Sequence, residues 1–482
     1  MDVGPRGPSQ EAFTAARIAA IEEEVNAIKA DETKVLGSGK QLASEGWILG
    51  YEARKNDGNP MSDKVETGEF HHLEFYVGDA LTVMKRFRAG LGMRLVARSD
   101  RNTSNFEYSS YILESENLRF VITSPASPHG ALIARREGKS TAVPDPDYNG
   151  VEAAEFFTKH GLAVRAIAVT TPDATVAFET AVANGGIPVR RPRTFANGVT
   201  VSEIQAYGDV VMRFVSGADD GSYLPDYEAV NDDASRKTFG LYRFDHVVGN
   251  VFSCKETFEY FNNVLGWHRF AEFSTEDVGT KKSGINSIVI ANNAETILLP
   301  INEPMYGTPS KSQITIFLEQ MGGAGVQHLA LKTGDVFATF DAMNAASDIG
   351  FEFLPPPPEV VHEGRKVDYY TWAASRVGDS LSAEDIAMCK ERGILIDIHP
   401  DEGILLQIFT KPLGTRPTIF IEILERRCFI RKDGSSKDPN VDDIELDPLA
   451  LDSIDKSACA QFGAGNFKKL YETVEADMGD LS

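Results

Sequence analysis

Cysteine is scarce in this chain: four residues in 482, Cys254, Cys389, Cys428 and Cys459, with no Cys-x-x-Cys pair among them. That spacing argues against a zinc ribbon or a thioredoxin-like site, and so low a count suits a reducing compartment. Positive charge is also under-represented, with 48 Lys and Arg against 71 Asp and Glu and a formal net charge of −23. A nucleic-acid binder is expected to show a basic patch or stripe, and none is present. No apolar run approaches the roughly 18 residues of a membrane span. The N-terminus lacks a basic-then-apolar signal pattern, and Glu11, Glu22, Glu23 and Glu24 come too early for a transit peptide, which is poor in acid. There is no His-Glu-x-x-His run, and no glycine loop that could cradle a phosphate. Gly322-Gly-Ala-Gly325 is not followed by Lys-Ser or Lys-Thr, and Gly463-Ala-Gly465 is too short. The expectation is a cytoplasmic protein with neither a membrane nor a nucleic acid as partner.

What is present is a large apolar fraction, 42%, arranged in a repeat. Four segments share one pattern of a β-like run, a short loop and an amphipathic helix: Phe70–Asp79 into Ala80–Phe87, Leu162–Val169 into Ala174–Ala181, Phe244–Val251 into Glu256–Phe261, and Gly325–Leu331 into Val336–Met343. Several β-like runs follow each helix, such as Tyr108–Leu113 with Leu118–Ile122, and Ser287–Ile290 with Thr296–Pro300. Self-similarity of this kind marks a duplicated architecture, and mixed strands around a helix indicate an α+β fold. Each half is expected to be an open, barrel-like sheet of two βαβββ modules. The first half spans 66–225 and the second 238–428, joined by a linker at 226–237. Residues 1–65 read as an N-terminal extension with one helix over Gln10–Ala30. Residues 429–482 read as a loop followed by a helix from about Asn466.

Three polar residues are out of place in this pattern. His246 lies in Arg243-Phe-Asp-His-Val-Val-Gly-Asn-Val251, His328 in Gly325-Val-Gln-His-Leu-Ala-Leu331, and Glu422 in Thr418-Ile-Phe-Ile-Glu-Ile-Leu424. A carboxylate between isoleucines is costly to bury unless it is paired or bound to a metal. Two imidazoles and one carboxylate with open positions form the usual ligand set of a non-haem Fe(II) oxygenase. Zinc takes the same donor types, but no second acid stands ready as a general base. His246 and His328 open the third and fourth repeats at equivalent positions, so a pseudo-twofold would bring them face to face. Alternation along the last strand puts Phe420, Glu422 and Leu424 on one face, and on Gly403–Phe409 it pairs Gln407 with Phe409. The first half keeps His72 but has Ala166 where His328 would be, and Asp209–Val215 offers no acid to match Glu422. It is expected to be a metal-free duplicate. Taken singly, each histidine has a bland reading as a hydrogen-bonded core residue, and Glu422 has one as the ion-pair partner of Arg416 or Arg426.

The runs around these residues also carry a resemblance. Arg243–Val251, Leu299-Pro-Ile-Asn-Glu-Pro304, Gly323–Leu331, Leu405-Leu-Gln-Ile-Phe-Thr-Lys-Pro412, Arg416–Ile423 and Phe462-Gly-Ala-Gly-Asn-Phe467 resemble the 4-hydroxyphenylpyruvate dioxygenases of the vicinal oxygen chelate superfamily. The likeness runs from about Phe70 to Leu470. It implies Fe(II) held by His246, His328 and Glu422, and conversion of 4-hydroxyphenylpyruvate and O2 to homogentisate and CO2, for tyrosine and phenylalanine catabolism or for quinone and tocopherol synthesis. It also implies a ring-binding pair, Phe409 and Phe467, and a polar group of Gln313, Gln407, Ser287 and Asn302. Walls would come from Pro300 and Phe420. Phe462, Gly463, Asn466 and Leu470 would add to the substrate pocket, the helix after Asn466 would act as a lid, and a homodimer or tetramer is implied. Ala464 stands where the family often has lysine and Glu425 where it often has glutamine. Rival readings are a hydroxymandelate synthase, an extradiol catechol dioxygenase and, in a different class, a non-catalytic aromatic-binding protein.

Overall fold

In the computed structural model of the chain, the described residues are 47–51, 57–217, 223–232, 238–274, 277, 284–305, 311–362, 365–399, 403–431 and 444–446. The helices expected at 10–30 and after Asn466 lie outside them, as do Ala464 and the lid residues Phe462, Gly463, Asn466, Phe467 and Leu470.

Each repeat is a strand, a helix and three strands. The first is β1 (Phe70–Tyr76), α1 (Ala80–Gly90), β2 (Arg94–Ser99), β3 (Tyr108–Ser115) and β4 (Leu118–Pro125). Helices α2 (Pro128–Arg136) and α3 (Gly150–His160) lead to the second: β5 (Ala163–Thr170), α4 (Ala174–Ala183), β6 (Pro188–Thr194), β7 (Thr200–Tyr207) and β8 (Val210–Ser216). After the short β9 (Glu228–Ala229) comes the third: β10 (Leu241–Asn250), α5 (Cys254–Leu265), β11 (His268–Phe273), β12 (Ile285–Ala291) and β13 (Leu298–Pro304). Helix α6 (Gln313–Met321) precedes the fourth, which begins with β14 (Gly325–Thr333) and α7 (Val336–Ala345). An insertion follows: the hairpin β15 (Glu359–His362) and β16 (Arg365–Asp368), then α8 (Tyr369–Val377) and α9 (Ala383–Arg392). The module closes with β17 (Leu395–His399), β18 (Gly403–Phe409) and β19 (Phe420–Arg431), onto which β20 (Ile444–Leu446) pairs.

The four module helices start for one local reason. Asp79, Asp173, Ser253 and Asp335 each sit in extended backbone just before the first turn, and their side chains accept N–H groups that would otherwise be orphaned. Gly322 ends α6 in the left-handed region, φ 75°.

The strand orders are β6-β7-β8-β5-β1-β4-β3-β2-β9 and β11-β12-β13-β10-β14-β19-β18-β17. In each sheet the opening strands of two modules pair antiparallel at the centre, β1 with β5 and β10 with β14. Each opening strand also pairs in parallel with the last strand of its own module. This is the expected α+β architecture of two tandem halves, each built from two βαβββ modules. Residues from β11 at one end of the second sheet and from β18 near the other line a common pocket, so the sheet curls around it.

Residues 226–237 were expected to be a linker. As far as Asp232 they pack on the first sheet: β9 pairs β2, Asp232 takes both nitrogens of Arg88, and Tyr227 donates its hydroxyl to Ser110. The halves meet along a shared core. Phe244 at the start of β10 touches Phe70 and Phe120 edge-on, and His160 on α3 binds the carbonyl of Met321 at 2.7 Å.

At Gly90 and Gly350 the halves meet backbone on backbone. A Cβ added to Gly350 would come within 2.6 Å of Gly90 Cα, and one added to Gly90 would meet Gly350 and the Phe351 ring. Arg86 fixes this contact by donating to the Gly350 carbonyl at 2.9 Å. Gly350→Ala is expected to destabilise by about 1–3 kcal/mol, the usual cost of forcing extra atoms into a packed site. A thermal melt reads this as a lowered midpoint, and an unchanged midpoint would show that the two elements can separate freely.

Candidate metal centre

The three misplaced residues meet. His246 comes from the centre of β10, His328 from β14 and Glu422 from β19, and their ligand atoms all lie within 4.8 Å of one another. His246 Nε2 is 3.5 Å and His328 Nε2 3.4 Å from the same atom, Glu422 Oε2. All three side chains are buried. The strand register explains the convergence. His246 lies opposite Ala330 on β14, and Glu422 lies opposite the same Ala330 from the other side. A small residue in the middle strand leaves room between the two.

Each group is oriented by a neighbour. His246 Nδ1 meets Asp245 Oδ1 at 2.8 Å, His328 Nδ1 meets Gln327 Oε1 at 2.9 Å, and Gln407 Nε2 donates to Glu422 Oε1 at 3.1 Å. With Nδ1 engaged as donor, each imidazole turns its Nε2 inward, the nitrogen that a metal would take on displacing any proton there. Burial works against charge on His246, but the Asp245 and Glu422 carboxylates outweigh it and hold its pKa up at about 9. Burial lowers His328 below the ordinary histidine value, with Glu422 opposing. Burial also works against the Glu422 carboxylate, yet the two imidazoles bring it down to about 2. The carboxylate is therefore ionised at neutral pH and aimed at two nitrogen donors, a fit for a divalent metal. The ion-pair reading of Glu422 does not hold: Arg426 is bound to Asp245, and Arg416 donates to the backbone carbonyls of Lys159, Gln320 and Thr158.

A pocket opens on this group. Its lining joins His246, His328 and Glu422 to Gln407, Phe409, Ser287 and Pro300 from the sequence reading. Phe420 does not line it but stacks on the His328 ring at 4.9 Å, and Phe409 stands edge-on to the same ring at 6.4 Å. Asn302 is buried opposite Ser287 in the β12–β13 register and donates to Asn250 Oδ1 at 3.3 Å. Gln313, which without the family likeness reads as a surface amide, is buried at the first turn of α6. Neither Asn302 nor Gln313 is among the residues lining the pocket.

A family profile described as the Glyoxalase/Bleomycin resistance protein/Dioxygenase superfamily matches residues 243–369. A protein of Daucus carota named 4-hydroxyphenylpyruvate dioxygenase is 45% identical over 86% of this chain and 88% of its own length. The Arabidopsis thaliana protein of the same name is 44% identical over 86% and 89%, and that of Xenopus tropicalis 30% over 85% and 91%. The chain belongs to the 4-hydroxyphenylpyruvate dioxygenase family. Among solved structures, a variant of 4-hydroxymandelate synthase from Streptomyces coelicolor superimposes with TM-score 0.63 at 20% identity, covering 86% of this chain and 99% of that one. At that identity the likeness speaks for the fold alone.

The family likeness and alternation along the strands left several functional neighbours unseen. Val248, Phe273, Val289, Leu405 and Arg426 also line the pocket. The period-two rule would have found Val248, which shares a face with His246, and Arg426, which shares one with Glu422. Phe273 lies at the end of β11, where no motif points to it. Glu425, the departure from the family's usual glutamine, is on the opposite face of β19. It accepts the N–H of Val336 at the start of α7 at 2.9 Å and pairs with Arg427 at 2.6 Å, so it holds a helix rather than the pocket.

The first half shows what happens when the same positions diverge. Its register aligns His72 with Ala168 on β5, and Ala168 with Arg213 on β8, so Arg213 stands where Glu422 stands in the second half. The guanidinium of Arg213 reaches His72 Nε2 at 3.0 Å, Glu203 Oε1 at 2.7 Å and Glu74 Oε2 at 2.7 Å. A buried cation of the protein's own takes the three-way position.

Proposed function

We propose that His246, His328 and Glu422 hold Fe(II), and that the chain converts 4-hydroxyphenylpyruvate and O2 to homogentisate and CO2. The observation that carries the site assignment is the convergence of two Nε2 atoms on one oxygen of an ionised carboxylate, inside a pocket that also presents Phe409. Bound iron supplies the redox chemistry that activates O2 beside a chelating 2-oxo acid. The protein supplies orientation. Gln407 restrains one oxygen of Glu422 so that the other faces the histidines. Phe409 and Phe273 give the pocket aromatic walls of the kind that receive a phenyl ring edge-on or offset. Ser287 Oγ, Asn302 Oδ1 and Gln313 Oε1 are buried with no hydrogen-bond partner among the described residues. Buried polar atoms are nearly always satisfied, and Ser287, which lines the pocket, supports a polar substrate as its missing partner. Phe467 as a second aromatic face and a helix after Asn466 as a cover that excludes water belong to the same proposal and lie outside the described residues. In the first half, the Arg213 guanidinium repels a cation from the equivalent position.

No helix among the described residues is long and apolar enough to cross a membrane. We place the enzyme in the cytoplasm as a homodimer, in keeping with its few cysteines and its family.

Anaerobically loaded protein given 4-hydroxyphenylpyruvate and then O2 is expected to consume the gas and release CO2 and homogentisate, identified by chromatography. Accumulation of 4-hydroxymandelate would instead assign benzylic hydroxylation, and cleavage of a catechol ring would assign an extradiol dioxygenase. Absence of metal binding together with an unaffected His328→Ala variant would leave only an aromatic-binding role.

A further inference from the structure

The residue just before each metal-binding histidine should point away from it, because side chains alternate along a strand. Asp245 and Gln327 do the opposite, and the backbone shows why. On β10, Phe244 and His246 face Leu331 and Ala330, so two steps on one strand match a single step on the other and Asp245 is the extra residue. On β14, His328 and Val326 face Val248 and Gly249, so there the extra residue is Gln327. Each is a β-bulge, a device that re-aims a side chain beside a functional site. Both bulges recur in the first half, at His71 between Phe70 and His72, and at Arg165 between Ala166 and Val164. There the re-aimed side chains do other work: His71 meets His72 at 2.6 Å, and Arg165 binds Glu152 at 2.6 Å. The backbone device is common to both halves, but only the second half uses it to place an acceptor on the Nδ1 of each histidine.

The two acceptors are unequal. Gln327 offers a neutral amide oxygen. Asp245 offers a carboxylate gripped by both nitrogens of a fork, Arg426 Nε to Oδ2 at 2.8 Å and Nη2 to Oδ1 at 2.7 Å, with both side chains about 5% exposed. In the first-half register Arg426 corresponds to Gly217, four residues past Arg213 as Arg426 is four past Glu422, so the fork is absent where the metal set is absent. A carboxylate on the far nitrogen fixes an imidazole's tautomer and ring plane and strengthens it as a donor.

We propose that Asp245, clamped by Arg426, is a positioning residue that makes His246 the stronger histidine ligand of the metal, with His328, backed by Gln327, the weaker. The inference rests on the metal reading given above.

Metal-free protein titrated with Co(II) against a chromophoric chelator tests it, with the thermal midpoint of the metal-free form recorded for every variant. Asp245→Asn is expected to weaken Co(II) binding by about 10- to 100-fold, the usual effect of losing such a partner, and to shift the Co(II) absorption bands. Gln327→Met should weaken binding by no more than about threefold. Asp245→Asn strands the Arg426 charge and could fail to fold. The double variant Asp245→Asn/Arg426→Met removes both buried charges, which proteins tolerate better than the loss of one, and it should bind as weakly as Asp245→Asn. If the folded double variant, or Asp245→Asn itself, binds Co(II) within threefold of the parent, the pair is only a structural bridge and the proposal is wrong. If the parent chain binds no Co(II), or binds it as well after His328→Ala, the metal reading itself fails, a result distinct from either variant's behaviour.

Discussion

Glu422→Gln is expected to leave the fold intact and to lower iron-dependent turnover by roughly a thousand-fold or more, about 4 kcal/mol of transition-state stabilisation. The substitution keeps shape and burial. An amide oxygen can still accept from Gln407, so the hydrogen bond to that neighbour, 3.1 Å in the parent, can persist. What is lost is the anionic oxygen that His246 and His328 both face. Two neutral imidazoles without a carboxylate form a much weaker set for a hard divalent ion. Metal content after dialysis and O2 uptake should therefore fall together, while the far-ultraviolet circular dichroism stays put. A variant that retains stoichiometric iron and near-normal turnover would remove Glu422 from the ligand set.

Arg213→Met should give the largest loss of stability, about 3–5 kcal/mol, because it leaves carboxylates buried without their cation. Glu74 and Glu203 both rest on that guanidinium, and each is less than a tenth exposed. The pH dependence carries a sign. In the parent, burial pushes Glu203 up, but Arg213 and Arg190 outweigh it and hold its pKa below the ordinary value. That contribution to stability is present above the unfolded carboxylate range and is lost as pH falls through the lowered pKa. Without Arg213, burial dominates, Glu203 takes up a proton more easily, and the deficit relative to the parent shrinks toward acid pH. Urea unfolding at pH 7 and pH 5 measures both values. A deficit that does not shrink would mean that packing, and not charge, holds Arg213 in place. The second half should keep its affinity for metal, since its ligands come from β10, β14 and β19.

Much of this was legible in the sequence because duplication repeats a signal. A histidine among apolar residues carries little information alone, but His246 and His328 at matching points of sister modules carry a great deal, and Glu422 at a strand centre completes the set. Alternation also put Gln407 and Phe409 on one wall correctly. It does not reveal Asp245 and Gln327, since a bulge is a backbone event that leaves no mark in side-chain periodicity. Arg213 was passed over for a related reason. In the first half the position lacks an acid, and its basic residue reads as an ordinary strand residue until the pairing of β5 with β8 is known. The chain from 226 looked like a tether because it is polar, yet Tyr227 donates to Ser110 in a polar interior that sequence gives no reason to expect.

The antiparallel pairing of β10 with β14 joins one module to the next, and the ligands straddle that seam: His246 on one side, His328 and Glu422 on the other. A bound ion thus acts as a rivet between segments distant along the chain. Its full ligand set exists only after the long-range pairing that brings them together, and neither the unfolded chain nor either module alone presents all three. Interactions made that late hold the folded state closed without hastening its formation. Iron should lengthen the lifetime of the native enzyme while leaving the time it takes to fold unchanged.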